Sequence, residues 1–197
     1  MRAVFAAAVV LVAVAAGCGG TKTVTVTQTS TTVRTVTVTT TTTAATTTGP
    51  AAAGAACTGA DLAGRFAVIP GSAGAGNIVY SLRLTSVSSS PCFVSGLPAV
   101  ALLDKNGSPL PTHVSAAQPG QATAARIVLQ SGDTAKADAR FSPDVPSTGE
   151  QQIGPCEPKA YVLRVTAPGG TVAAPISQPT AVCGHGSLSF SVFSSAG

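Results

Sequence analysis

The stretch from Asn77 to Val100, NIVYSLRLTSVSSSPCFVSGLPAV, constrains the fold more than any other part of the chain. Ile78, Tyr80, Leu82 and Leu84 alternate with Val79, Ser81, Arg83 and Thr85. A period of two puts the first set on the core face of a strand and leaves the second set mostly to water. Ser86 to Pro91 has no period and ends in Ser-Pro, so it reads as a turn. Cys92 and Phe93 follow, then Gly96-Leu97-Pro98, a corner where glycine permits an unusual backbone angle and proline fixes the next one. Val100 to Leu103 is a further apolar run, closed by Asp104-Lys105-Asn106-Gly107 as a hairpin turn.

The same period recurs downstream. Asp61 to Ile69 reads as a first strand ended by Pro70, and Ala125 to Gln130 as another. Thr134 to Phe141 sets Ala135, Ala137, Ala139 and Phe141 against Lys136, Asp138 and Arg140, a half-solvated strand. Tyr161, Leu163 and Val165 alternate with Val162, Arg164 and Thr166, and Leu188, Phe190 and Val192 form a closing strand. Val172 to Ile176 reads as short and broken by Pro175, while Pro109-Leu110-Pro111 resists interior pairing. Ser142 to Pro155 is a polar loop long enough to be a binding loop. No helical period occurs after the first residues. The expectation is an all-β, immunoglobulin-like antiparallel β-sandwich of about seven to nine strands, with a small barrel as the alternative. Immunoglobulin domains proper carry a buried Trp, and this chain of 197 residues has none.

The amino end follows other rules. Met1-Arg2 precedes an unbroken apolar run from Ala3 to Ala16, shorter than the roughly 20 residues of a membrane-spanning helix but suited to a signal-peptide core. Val14 to Cys18 resembles a bacterial lipoprotein signal, with Ala15 where that motif more often has Leu. The resemblance implies that residues 1–17 are removed and that Cys18 is lipidated and starts the mature chain, anchored at the extracytoplasmic face of the cell membrane. Residues 18–56 then form a Thr- and Ala-rich stalk. Lys22 to Thr27 returns twelve residues later as Arg34 to Thr39. Four valines on one face are too few to hold such a hairpin, so a tether is expected, reaching roughly 120 Å at about 3.1 Å per residue.

Residues 57–197 remain for one β domain, enough for a hydrophobic core. With 6 Phe and 2 Tyr, that core must be mostly Val, Leu, Ile and Ala. Charged residues are 9 % of the chain, against roughly 25 % in ordinary domains, so the surface is Ser, Thr, Gly and Ala. From Cys57 onward eight basic residues face seven acidic ones, which excludes a nucleic-acid binder's phosphate track.

Apart from Cys18, four cysteines remain: Cys57, Cys92, Cys156 and Cys183. An even number in an exported domain reads as two disulfides, with three connectivities open. Sequential pairing, Cys57 with Cys92 and Cys156 with Cys183, is favoured because each closes a local loop, worth about 3.5 to 4 kcal/mol by loop entropy. The spacing fits no zinc motif, although His185 lies two residues past Cys183. Gly71 to Gly76 lacks the Gly-Lys-Ser/Thr ending of a phosphate loop and reads as a loose turn. Nothing calls for a cofactor.

Several of these pieces recur together in a known family. Cys57 with Asp61-Leu62, Gly74-Ala75-Gly76-Asn77, Leu82 and Leu84, Pro91-Cys92, Gly96-Leu97-Pro98, Leu103-Asp104 before Gly107, Val128-Leu129 before Gly132, Cys156, Leu163-Arg164-Val165 and Cys183 resemble a family of uncharacterised actinobacterial exported domains, usually lipoproteins, the DUF4232-like domain. The resemblance implies an immunoglobulin-like sandwich on the cell envelope and carries no catalytic residue. The expected function is a non-enzymatic envelope module that binds a protein, a glycan or a small ligand. A structural spacer without a ligand is the alternative. A hydrolase would have to combine His113 or His185 with Asp104, Asp133 or Asp144, since no G-x-S-x-G occurs.

Overall fold

A computed structural model describes residues 54–120 and 126–196. Cys18, the apolar leader and the threonine-rich stretch lie outside the described residues. Eleven strands occur among those described: β1 (Leu62–Val68), β2 (Ile78–Ser86), β3 (Cys92–Val94), β4 (Val100–Leu103), β5 (His113–Ala116), β6 (Ile127–Leu129), β7 (Thr134–Phe141), β8 (Ala160–Ala167), β9 (Gly170–Thr180), β10 (Ser187–Phe190) and β11 (Ser194–Ser195).

The fold is all-β, but the immunoglobulin-like antiparallel sandwich is corrected. One mixed sheet runs β4-β8-β9-β1-β2-β7-β10-β5, with β11 on β7, and β3-β6 form a separate ribbon. β1 meets β9 in parallel at Phe66 and Ile176, and β10 runs parallel to β5. The eight-strand path curls into a nearly closed barrel. Its outermost strands, β4 and β5, are consecutive in sequence, and their connection stitches them together. Leu110 N–H donates to Leu102 O at 2.9 Å, and Leu102 N–H donates to Thr112 Oγ1 at 2.9 Å. The small barrel weighed as the alternative is therefore nearer the truth.

The interior is filled by pairing large side chains with small ones. β2 and β7 are antiparallel, with Tyr80 opposite Ala139, Leu82 opposite Ala137 and Leu84 opposite Ala135. All six are buried. Three alanines in a row leave room for the bulk of β2 and for β8, β9 and β10, which supply Leu163, Val165, Val172, Ile176, Leu188 and Phe190. The aromatic rings cluster: Phe66 lies 5.1 Å from Tyr80, and Tyr80 lies 5.2 Å from Phe141, centroid to centroid. Tyr80 donates its hydroxyl to Gln178 O at 2.9 Å, so this buried phenol is satisfied.

One expectation about a single strand also changes. β9 is eleven residues long and passes through Pro175. Pro175 sits opposite Val162 beside a register shift between Ala160 and Val162, where a missing N–H breaks no regular ladder. His113 belongs to β5, an exposed edge strand whose mostly solvent-facing residues leave no period to read.

The disulfides are Cys57–Cys92, with Cα atoms 4.9 Å apart, and Cys156–Cys183, at 5.5 Å. They occupy opposite ends of the barrel. Thr85 pairs with Thr134 at one end of the β2–β7 ladder, and Ile78 pairs with Phe141 at the other. Cys57 and Leu84 border one cavity at the first end, and Cys183 N–H donates to Ser142 O at 2.9 Å at the second.

Candidate functional site

The second end is organised by Glu150. Ser147 and Glu150 form a tight turn, with Glu150 N–H donating to Ser147 O at 3.2 Å. The Glu150 carboxylate turns back on it: Oε2 accepts from Ser147 N–H at 2.6 Å and from Ser147 Oγ at 3.1 Å. It also crosses to the turn Cys183–Gly186. Oε2 accepts from Gly184 N–H at 3.0 Å and Oε1 from His185 N–H at 2.6 Å. Gly184, His185 and Gly186 all lie in the left-handed region, with φ of 69°, 54° and 78°. That conformation directs the N–H groups of Gly184 and His185 onto one carboxylate.

Gly186 has a second reason to be glycine, since a Cβ there would collide with the Pro111 carbonyl. The turn is thereby wedged between the Glu150 loop and the β4–β5 connection. Glu150's side chain is 1 % exposed, yet it is held ionised. The His185 N–H, with those of Ser147 and Gly184 and the Ser147 hydroxyl, outweighs desolvation and lowers its pKa from 4.5 to about 2.

His185 and Glu157 complete the cluster. They follow Cys183 and Cys156 by two residues and one, so the disulfide itself draws them together. His185 Nδ1 stands 3.9 Å from Glu150 Oε1 and 3.7 Å from Glu157 Oε1. The three potential ligand atoms lie within 4.8 Å of one another.

The residues singled out for a hydrolase are not assembled. Asp104 Oδ1 accepts from Asn106 and Ser108 N–H, each at 2.8 Å, and Asp133 Oδ2 from Gln130 N–H at 2.8 Å. Both carboxylates are committed to their own turns. Among the described residues, the carboxylates within 4.0 Å of a histidine are Glu150 and Glu157, both beside His185. The loop Ser142 to Pro155 is tied down through Glu150. Sequence reading passed over Glu150 and Glu157. The Ser-x-x-Glu pattern at Ser147 was a signal for the first, and adjacency to Cys156 for the second.

At the first end the barrel holds a cavity of about 210 Å³. Leu62, Leu84, Val94, Leu97, Val165 and Phe193 give it apolar walls, Ser95 and Thr166 are its hydroxyl-bearing lining residues, and among the described residues no charged one borders it. Its floor includes the Cys57 end of the first disulfide, and Phe93, another wall, has the Arg126 guanidinium 3.7 Å from its ring centre. β3 gains a second partner here: Cys57 N–H donates to Phe93 O at 2.9 Å and Phe93 N–H to Ala55 O at 3.1 Å. The point where the chain enters the domain is therefore at the cavity.

The family described as a domain of unknown function, DUF4232, matches residues 57–194. The chain belongs to that family. No curated protein and no solved structure matches it. The DUF4232 match takes in all four paired cysteines, the walls of the cavity from Cys57 to Phe193, and Glu150, Glu157 and His185. The residues before Cys57 fall outside it.

Proposed function

We propose that this chain is a non-enzymatic binding module of the cell envelope, which takes an apolar side chain of an extended protein segment into the cavity bordered by Leu97 and Val165. The cavity carries the reading. A spacer has no use for an apolar hollow at its surface, and about 210 Å³ corresponds to about seven waters' share of liquid volume, the size of one aliphatic or aromatic side chain. Burying a four-carbon group there contributes about 3 kcal/mol. The uncharged lining favours a neutral apolar group over a phosphate, and two hydroxyl-bearing residues are too few polar partners for a glycan.

The module is held at the extracytoplasmic face of the membrane by lipid on Cys18 and by the stalk of residues 18–56. Support for this part comes from the apolar run ending in Ala-Gly-Cys, the threonine-rich composition and the pairing of the other four cysteines. Mass analysis of the mature amino terminus checks it, with an acyl adduct on Cys18 expected and an unmodified cysteine fatal.

The cavity is tested with uncharged N-acetyl leucine amide and N-acetyl phenylalanine amide. Saturable methyl shifts at Val94, Leu97 and Val165 in NMR are expected. Leu97→Trp, which fills the space, abolishes them while the melting temperature stays within a few degrees. A gain of about 3 kcal/mol corresponds to a Kd of several millimolar, so absence of shifts at tens of millimolar ligand would sink the reading.

A further inference from the structure

We propose that Glu150, Glu157 and His185 bind a divalent transition cation of the zinc class, with solvent completing its coordination. Charge is the first argument. Two carboxylates converge, one nearly buried and one 17 % exposed, and among the described residues no Lys or Arg lies within 4.0 Å of either. Glu150 is held ionised by N–H and O–H donors, which carry no net charge, so its negative charge stays uncompensated beside that of Glu157. Buried carboxylates in this condition are paired or coordinate metals. A divalent ion balances the two charges.

Spacing is the second argument. His185 Nδ1 is 3.7 and 3.9 Å from the two carboxylate oxygens, too far for charge-assisted hydrogen bonds at about 2.7 to 2.9 Å. Ligand atoms about 2.1 Å from a tetrahedral zinc stand about 3.4 Å apart, so the imidazole needs a few tenths of an ångström of contraction towards each carboxylate, and the three donors together, within 4.8 Å of one another, close by at most about 1.4 Å. His185, whose side chain is 53 % exposed, has room to swing inward, with a smaller adjustment of Glu157, while Glu150 is fixed by its donors.

The third argument is the support around Glu150. Its Oε2 is occupied by three donors, but Oε1 accepts only the His185 N–H and keeps a lone pair for a ligand. Ser147, Gly184 and the His185 backbone thus orient the carboxylate as outer-shell groups orient metal ligands. An imidazole with two carboxylates is a donor set for zinc and its neighbours, whereas magnesium and calcium take oxygen alone. The ion would clamp the Glu150 loop to the turn Cys183–Gly186 alongside the disulfide.

The test uses the purified full chain, disulfides intact and stripped of metal, titrated with zinc chloride in a calorimeter. One saturable site is expected, and the melting temperature rises by about 5 to 10 °C at a hundredfold excess over Kd. His185→Gln and Glu157→Gln, neither of which supports the turn through its side chain, each weaken binding about tenfold or more. His113→Gln, on the exposed β5 strand, binds as the parent does and separates this site from adventitious histidine binding. Glu150→Gln is not used, because it loosens the turn whether or not metal binds. No saturable zinc binding up to millimolar, undiminished binding by His185→Gln, or equal displacement by magnesium would each overturn the proposal.

Discussion

The two ends of the barrel carry the same cross-link in opposite surroundings. Cys57 and Cys92 belong to the main hydrophobic cluster, whereas Cys156 and Cys183 share a small separate cluster with Ala181. One staple closes an apolar hollow, and the other closes a polar knot around Glu150. The loop-entropy contribution is nearly the same for separations of 35 and 27 residues, about 3.5 to 4 kcal/mol each. The difference lies in what each bond holds once the chain is folded. The first bond is itself core, and the second positions side chains, since it sets Glu157 beside His185.

Replacing the pairs separately breaks or sharpens that contrast. The double variant Cys57→Ser, Cys92→Ser should lose the loop term and also bury two hydroxyls in the main core, at least about 5 kcal/mol in denaturant unfolding. Cys156→Ser, Cys183→Ser buries its hydroxyls too, but beside the polar groups of the Glu150 turn and outside the main core, so it should cost less, about 3.5 to 4 kcal/mol. Equal losses would show that the surroundings contribute nothing and would end the comparison.

Gly186→Ala comes next, at about 2 kcal/mol or more, because the new Cβ meets the Pro111 carbonyl at a φ of 78°. Its distinguishing mark is local: faster amide exchange at Gly184 and His185, with the cavity end unchanged. Exchange rising equally at Phe93 would mean that the ends are not independent.

The most selective change is Glu150→Gln. The native pKa is lowered from 4.5 to about 2, so the ionised form stabilises the fold fully above pH 4.5, and that stabilisation fades as pH falls towards 2. Thr58 holds Asp61 below its ordinary value too, so some acid sensitivity remains at the other end. The variant should be less stable than the parent at pH 7, and its stability should vary less with pH between 4.5 and 2. An unchanged slope would remove Glu150 from the account.

Much of the first end was legible in the chain and much of the second was not. Alternation at Tyr80, Leu82 and Leu84, and at Ala135, Ala137 and Ala139, gave the interior faces of β2 and β7 correctly, because each faces the core with a period of two. The limits of β4 and β7 also match. Alternation says which way a side chain points and is silent on which strands pair. The parallel contacts of β1 with β9 and of β10 with β5, and with them the barrel in place of the sandwich, therefore had no local signature.

Pro175 argued against a long β9 because its tolerance depends on a bulge in another strand. Glu150 escaped notice for a related reason. Its bonds to Gly184 and His185 span 34 and 35 residues, and the left-handed turn that offers those N–H groups is marked by glycines that would suit any loop. The disulfide pairing was readable because loop length alone ranked the choices.

The stitching of β4 to β5 through Leu102, Leu110 and Thr112 bears on how copies of this domain behave when crowded. An open sheet offers its outermost backbone groups to any neighbour, and copies can then zip together strand by strand. Here a single crossover from the same chain occupies much of that margin at β4. Domains of this design can stand shoulder to shoulder at high density with little tendency to merge through that border.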